Sequence, residues 1–237
     1  MRRARTCLLL VAAACLTPSF AANEKPSEPV ERLNQAAKVF DEVMNTPDNG
    51  IPKDLLDGAS CVIIIPGLKK AGLVIGGQYG KGVLICRGKN GVGWTGPTTV
   101  RAEGGSFGFQ IGASEVDVVM LVMNQGVRDK LIQSGFTLGA DAGVAAGPVG
   151  RNAAAATDVQ MHAQILSWSR SRGVFAGAVL QGSTLRRDDD DNKAIYGKYV
   201  DPKAIVNGEV PPPPAAKLLI ATLNKYSPKL AQPHKPV

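Results

Sequence analysis

Apolar positions along the chain change period twice, and the changes divide it into elements. Val30, Leu33, Ala37, Phe40 and Met44 recur at three- and four-residue spacing, which predicts a helix of about four turns. Pro47, Asn49-Gly50 and Pro52 stop it, and a short helical turn over residues 53–57 leads through Gly58 into a strand. From Cys61 to Met123 the pattern becomes strand and turn, with runs at 61–65, 72–79, 82–87, 91–94, 98–102, 106–112 and 115–123. Glycines, Pro66 and Pro97 punctuate these runs, and no helix-length segment separates them, so antiparallel pairing is expected. Asn124 is placed to cap a helix carrying Val127, Leu131 and Ile132, which Gly135 ends. Strand patterns resume at 136–146, 153–159, 161–168 and 174–184. Asp201-Pro202 opens another short helix, Pro211–Pro214 forms a stiff spacer, and Lys217–Tyr226 reads as a last amphipathic helix.

The expected fold is therefore α+β: a mostly antiparallel, barrel-like sheet with helices at its N- and C-terminal ends. No internal repeat of fixed length is present. The expected divisions are a signal peptide at 1–21, an exposed arm at 22–29, one domain over 30–210, and a Pro-rich spacer with a basic tail at 211–237. The signal reading rests on Arg2, Arg3 and Arg5, the apolar stretch Cys7–Leu16, and the small residues Ser19 and Ala21. Cleavage after Ala21 predicts an exported protein, in the periplasm or cell envelope. A competing cut before Cys15 would anchor it through a lipid on that cysteine.

Charge gains meaning only after this partition. The 237 residues carry a formal +7, which suggests nucleic acid, yet an aromatic share of 5% gives little surface for base stacking. Three of those charges leave with residues 1–21, and four more belong to lysines of the tail. The body, 22–210, is neutral, so no nucleic-acid partner is expected. Within it, no acid lies between Asp57 and Glu103, while Lys69, Lys70, Lys81, Arg87, Lys89 and Arg101 do. Such a cluster suits phosphate oxygens or an anionic bilayer.

Catalytic and metal motifs do not survive inspection. Gly104-Gly105-Ser106-Phe107-Gly108 matches G-x-S-x-G, but the alternation after Ser106 is that of a strand, not of the strand-to-helix elbow a nucleophile needs. His162, the available base, lies in another strand-like run. Gly80-Lys81 lacks the first glycine and the Ser or Thr of a phosphate-binding loop. Asp188–Asn192 could hold calcium, but it lacks the glycine and distal glutamate of an EF-hand loop and reads as a solvated acidic turn. Neither an enzyme nor a cofactor is expected. In an oxidising compartment Cys61 and Cys86 form a disulfide if their strands neighbour one another; otherwise they are buried thiols.

The ordered blocks Ile51-Pro52, Ile65-Pro66, Lys70-Ala71-Gly72, Gly80-Lys81-Gly82-Val83 and Gly93-Trp94 resemble the SYLF domain, also called the Ysc84 or DUF500 family. The likeness continues through Gly105–Gly112, Ala146–Arg151, Ser167–Gly173, Asp191-Asn192 and Tyr196-Gly197, covering roughly residues 30–200. The resemblance implies a non-enzymatic lipid-binding module. Eukaryotic members bind phosphoinositide-rich membranes, some also actin, through this domain and a preceding amphipathic helix. By analogy Lys69, Lys70, Lys81 and Arg151 contact headgroups, with Arg87, Lys89 and Arg101 completing the basic surface. In a bacterial envelope the ligand would be an anionic phospholipid or a lipid phosphate. The alternative is a structural or protein-interaction role there, with a partner that the sequence does not name. One departure stands out: Glu28, Glu31, Asp41 and Glu42 outnumber Arg32 and Lys38, whereas a helix lying on an anionic bilayer is normally basic. This helix is expected to pack on the domain instead.

Overall fold

A computed structural model describes residues 27–229, apart from 47–49, 73–74, 108–111, 134, 150–161, 172–173, 178–179 and 181. The signal segment, Cys15, the strand expected at 153–159 and Arg151 therefore lie outside the described residues.

The first helix, α1 (Glu28–Asn45), starts with proline in its first turn, where a missing N–H costs nothing, and with Glu28 and Glu31 at the positive end of its dipole. Its buried stripe is Leu33, Ala36, Ala37, Phe40 and Val43, set by the helical period. A short α2 (Lys53–Gly58) delivers the chain to two long strands, β1 (Cys61–Gly72) and β2 (Ile75–Cys86). These are followed by β3 (Thr98–Phe107), β4 (Gly112–Val122) and α3 (Gln125–Leu131), the last capped by the Asn124 side chain. Then come β5 (Phe136–Thr137), β6 (Val144–Ala146), β7 (Ile165–Ser171), β8 (Val174–Gly177) and β9 (Thr184–Arg187). The chain ends in α4 (Asp189–Tyr196), α5 (Pro202–Val206), a 3₁₀ turn (Pro214–Ala216) and α6 (Lys217–Tyr226).

The nine strands form one sheet in the order β5-β9-β3-β2-β1-β4-β7-β6, with β8 also pairing β7. Among the described strands only the β6–β7 pair is parallel. The sheet curls without closing, since β5 and β6 end the order. Val62 and Ile64 face α1 and α6, whereas Cys61, Ile63 and Ile65 face the hollow of the curl, which Val100, Met120, Leu131, Phe136 and Leu185 fill. Burial on both faces explains why this run is uniformly apolar rather than alternating.

Several expected boundaries move. The runs 61–65, 72–79 and 82–87 are two continuous strands, because β1 passes Pro66-Gly67 as a bulge rather than a turn. Proline lacks the N–H a ladder needs, and Gly67 takes φ 63°. Residues 91–94 form only isolated bridges, Arg87 to Trp94 and Val92 to Lys229. Cys61 and Cys86 stand opposite each other in β1 and β2 and are joined, S–S 2.08 Å, across a sequence separation of 25. A loop of that size stabilises by about 3 kcal/mol. At the far side Gly147 lies against the buried Trp168, where a Cβ would collide with the ring.

Helix α6 closes the structure by packing on α1. Phe40 and Tyr226 meet edge to face at 6.1 Å, and the Tyr226 hydroxyl donates to Asp41 Oδ1 at 2.7 Å beside the Lys225 ammonium at 2.9 Å. The Tyr226 hydrogen bond first, then Lys225, holds the Asp41 carboxyl below its ordinary 3.8. A depressed carboxylate stabilises the fold fully above its unfolded value and loses that contribution as pH falls through the folded one. Asp41→Asn should therefore lower the urea midpoint at pH 7 and flatten its fall below pH 4; equal acid sensitivity in both proteins would contradict the contact.

Candidate functional site

Beyond the bulge, β1 and β2 run past the cover of α1, and a groove of about 620 Å³ opens between helix and sheet. Glu31, Arg32 and Gln35 of α1 line one wall. Lys69, Tyr79 and Lys81 of the β1–β2 hairpin, with Glu115 and Asp117 of β4 and Arg170 of β7, form the rest.

Its floor is a lattice of ion pairs. Arg32 reaches Asp191 at 2.5 Å and Glu28 at 2.8 Å. Lys81 reaches Asp188 at 2.9 Å and Asp191 at 3.1 Å. Burial alone would lower the Lys81 pKa, but the two carboxylates outweigh it and the net shift is upward. Arg170 likewise joins Asp117 and Glu42, tying β7 and β4 to α1, and its pKa also rises despite burial. Asp188–Asn192 is therefore not a solvated turn. Asp188 caps α4, its side chain accepting from the Asp191 N–H at 3.3 Å, and Asp188, Asp191 and Asn192 are all buried. Asn192 accepts from the Thr99 N–H at 2.8 Å and donates to Thr98 Oγ1 at 2.8 Å, fixing α4 against β3.

The six cations of the acid-free stretch part company. Lys69 is exposed on the groove side, while the next residue, Lys70, is half-buried on the opposite face, where burial lowers its pKa. Lys81 is committed to Asp188 and Asp191. Arg101 pairs with Glu103 at 2.6 Å, and Lys89 pairs with Glu209 at 3.5 Å in a separate loop. Arg87 does not belong to any surface, being only 3% exposed. It donates to the carbonyls of Ala59 (3.3 Å), Ser227 (2.6 Å) and Leu56 (3.2 Å) and to the Ser227 hydroxyl, and lies 3.9 Å over the Trp94 ring. Burial pushes its pKa down to about 10 against the pull of Asp57. Its role is to bind the segment that follows α6 to α2 and β2. Ser106 is the penultimate residue of β3, opposite Gly76, and the next described element is the strand β4 rather than the helix an elbow needs.

The spacing of cations does not bring out Arg32, Tyr79, Glu115, Asp117 or Arg170. The acidic ligands do have a signal: Asp188 as N-cap, acids in the first turn, then Ile195 and Tyr196 at helical spacing.

The Ysc84 family, described as "Las17-binding protein actin regulator", matches residues 103–226, from β3 to the end of α6. The chain belongs to this family. Its similarity to "LAS seventeen-binding protein 3" of Saccharomyces cerevisiae is 34% identity over 179 residues, 74% of this chain and 39% of the relative. An SH3 domain-containing protein of Schizosaccharomyces pombe is 34% identical over 177 residues, 73% of this chain and 41% of that one. "SH3 domain-containing YSC84-like protein 1" of Rattus norvegicus is 30% identical over 213 residues, 87% and 62% respectively. This Ysc84-family chain thus spans from two-fifths to three-fifths of the length of these relatives. Among its described residues no helix is long and apolar enough to cross a membrane.

The lattice makes a stability prediction. Asp191→Asn leaves Arg32 with Glu28 alone and Lys81 with Asp188 alone, and should cost about 2–3 kcal/mol in urea unfolding, below the full cost of orphaning a buried charge because each cation keeps one partner. An unchanged midpoint would remove Asp191 from the framework.

Proposed function

We propose that this Ysc84-family domain is a non-enzymatic lipid-binding module of an exported, envelope-facing protein of a bacterium. Its contact surface is the overhanging end of the β1–β2 hairpin, and its ligand an anionic phospholipid or lipid phosphate. The observation that carries the reading is the Lys69–Lys70 pair. Neither ammonium has a counter-ion among the described residues, unlike Lys81, Lys89 and Arg101, and Lys70 is also partly desolvated. A half-buried ammonium without a partner gains more from an arriving phosphate than a fully hydrated one. At an anionic surface each such cation contributes about 1 kcal/mol. The acidity of α1 fits, since Glu28, Asp41 and Glu42 are spent on Arg32, Lys225 and Arg170 rather than offered to a bilayer.

The family description supplies a second reading, that of a protein-binding module, because related chains are named for binding Las17. Flotation with phosphatidylglycerol vesicles separates the two. The wild-type chain should float, and Lys69→Glu with Lys70→Glu should weaken binding at least 30-fold, as expected for two cations at about 1 kcal/mol each. Lys89→Glu should float as wild type. Vesicle binding unaffected by the double change would discard this surface, and no flotation at all would favour the protein partner. Mass spectrometry of the secreted chain should find Ala22 at its N-terminus; a lipidated Cys15 would instead mean a tethered protein.

A further inference from the structure

Three side chains stand in a row across the mouth of the groove. Tyr79 of β2 is directly opposite Lys69 of β1, and Lys69 is directly opposite Glu115 of β4, all three on the face that looks toward α1. Adjacent strands are about 4.8 Å apart, so the row presents an aromatic ring, a cation and a carboxylate at successive strand steps. Tyr79 keeps 47% of its surface exposed. Lys69 and Glu115 form no ion pair with each other or with other described residues. The reason is local: the Glu115 carboxylate lies over Gly67, in space that a Cβ would occupy at 2.7 Å from Oε1. The bulge glycine thus leaves room for the acid beside itself, away from its neighbouring lysine, and both charges stay open. Glu31, exposed and without an ion pair, adds a second carboxylate from α1 on the same groove.

A purely anionic headgroup would find one open cation here and two open carboxylates facing it. The fit is to a molecule that carries both signs. We infer that the groove selects a phosphodiester bearing a primary ammonium, with its phosphate on Lys69 beside the Tyr79 ring and its ammonium between Glu115 and Glu31. A two-carbon link between phosphate and nitrogen spans about one strand step, which matches the separation of Lys69 from Glu115. This inference rests on the lipid-facing reading of the same end of the sheet, and within the groove it replaces the anionic headgroup of that reading with a zwitterionic one. The same chemistry occurs in a lipid headgroup and in the free phosphoamine, and both are tested.

The experiment is an amide-shift NMR titration of the full chain with two soluble headgroups, glycerophosphoethanolamine and glycerophosphoglycerol, followed by flotation on vesicles enriched in the parent lipids. The ethanolamine compound should shift the amides of Lys69, Tyr79 and Glu115, and the glycerol compound should bind roughly tenfold more weakly, the size of one charge-assisted contact. Glu115→Gln, a change at an exposed position, should erase that preference while keeping phosphate-dependent binding, and Lys69→Met should weaken both compounds. A preference seen with vesicles alone, and lost in Glu115→Gln, assigns the ligand to the bilayer; one seen with the soluble compound alone assigns it to the free phosphoamine. Equal affinities for both headgroups, or a preference that survives Glu115→Gln, overturns the inference. Vesicle binding without ammonium preference would sink this proposal and leave the membrane reading standing. Headgroup binding without flotation would do the reverse.

Discussion

The middle of the sheet has no solvent side, and that constraint organises the rest. Val62 and Ile64 must be covered by helices, and Cys61, Ile63 and Ile65 by the curl of the sheet on itself. Each large side chain so buried contributes roughly 1.5–3 kcal/mol, so both covers are needed. α1 and α6 supply the first, and β9, β5 and α3 the second. Where the covers stop, β1 and β2 continue, and only there do polar side chains of the hairpin reach water. The position of the groove is thus a by-product of how far the helices extend.

Electrostatics then decides what the groove shows. A chain with a neutral body still assembles many ion pairs among its described residues, and those on the groove floor are partly buried, where a lone charge would be costly. Holding Arg32, Lys81 and Arg170 between α1, α4 and the strands fixes the helix over the sheet. It also removes those cations from the list of groups that can attract a ligand. What remains is sparse, and sparse sites discriminate by sign and spacing rather than by net charge.

Much of the fold was legible because period and punctuation report local preferences. The helix over Val30–Met44, the capping Asn124 and the last helix all follow from side-chain spacing. Pro66-Gly67 misled because the same two residues that end a strand also permit a bulge, and only pairing on both sides of β1 tells the two apart. The site was less legible for the same kind of reason. Six cations in an acid-free stretch look alike in sequence, but Arg87 is held by Ser227, 140 residues away, and Lys81 by Asp191, 110 residues away. Partners that distant are supplied by topology, which charge counting along the chain does not contain. The disulfide shows the opposite case, since its two cysteines sit in neighbouring strands and needed only the register.

The bulge also sets a phase. Before it, Ile64 points toward α1; five residues later Lys69 does so too, although uninterrupted alternation would have put Lys70 there and turned Lys69 into the hollow of the curl. Losing one residue between Ile65 and Leu68 would give four steps on each strand, an unbroken ladder that keeps Leu68, Lys69 and Lys70 on their present faces but lacks the bulge glycine over which Glu115 lies. Keeping the count and straightening the bulge would exchange the two lysines and carry Leu68 out of the hollow. The extra residue is therefore accommodated by the bulge, and the bulge is a stricter requirement than residue identity at this point. A relative with different side chains here but the same bulge would keep the arrangement, whereas one with identical lysines and the same count in an unbroken ladder would be a different surface.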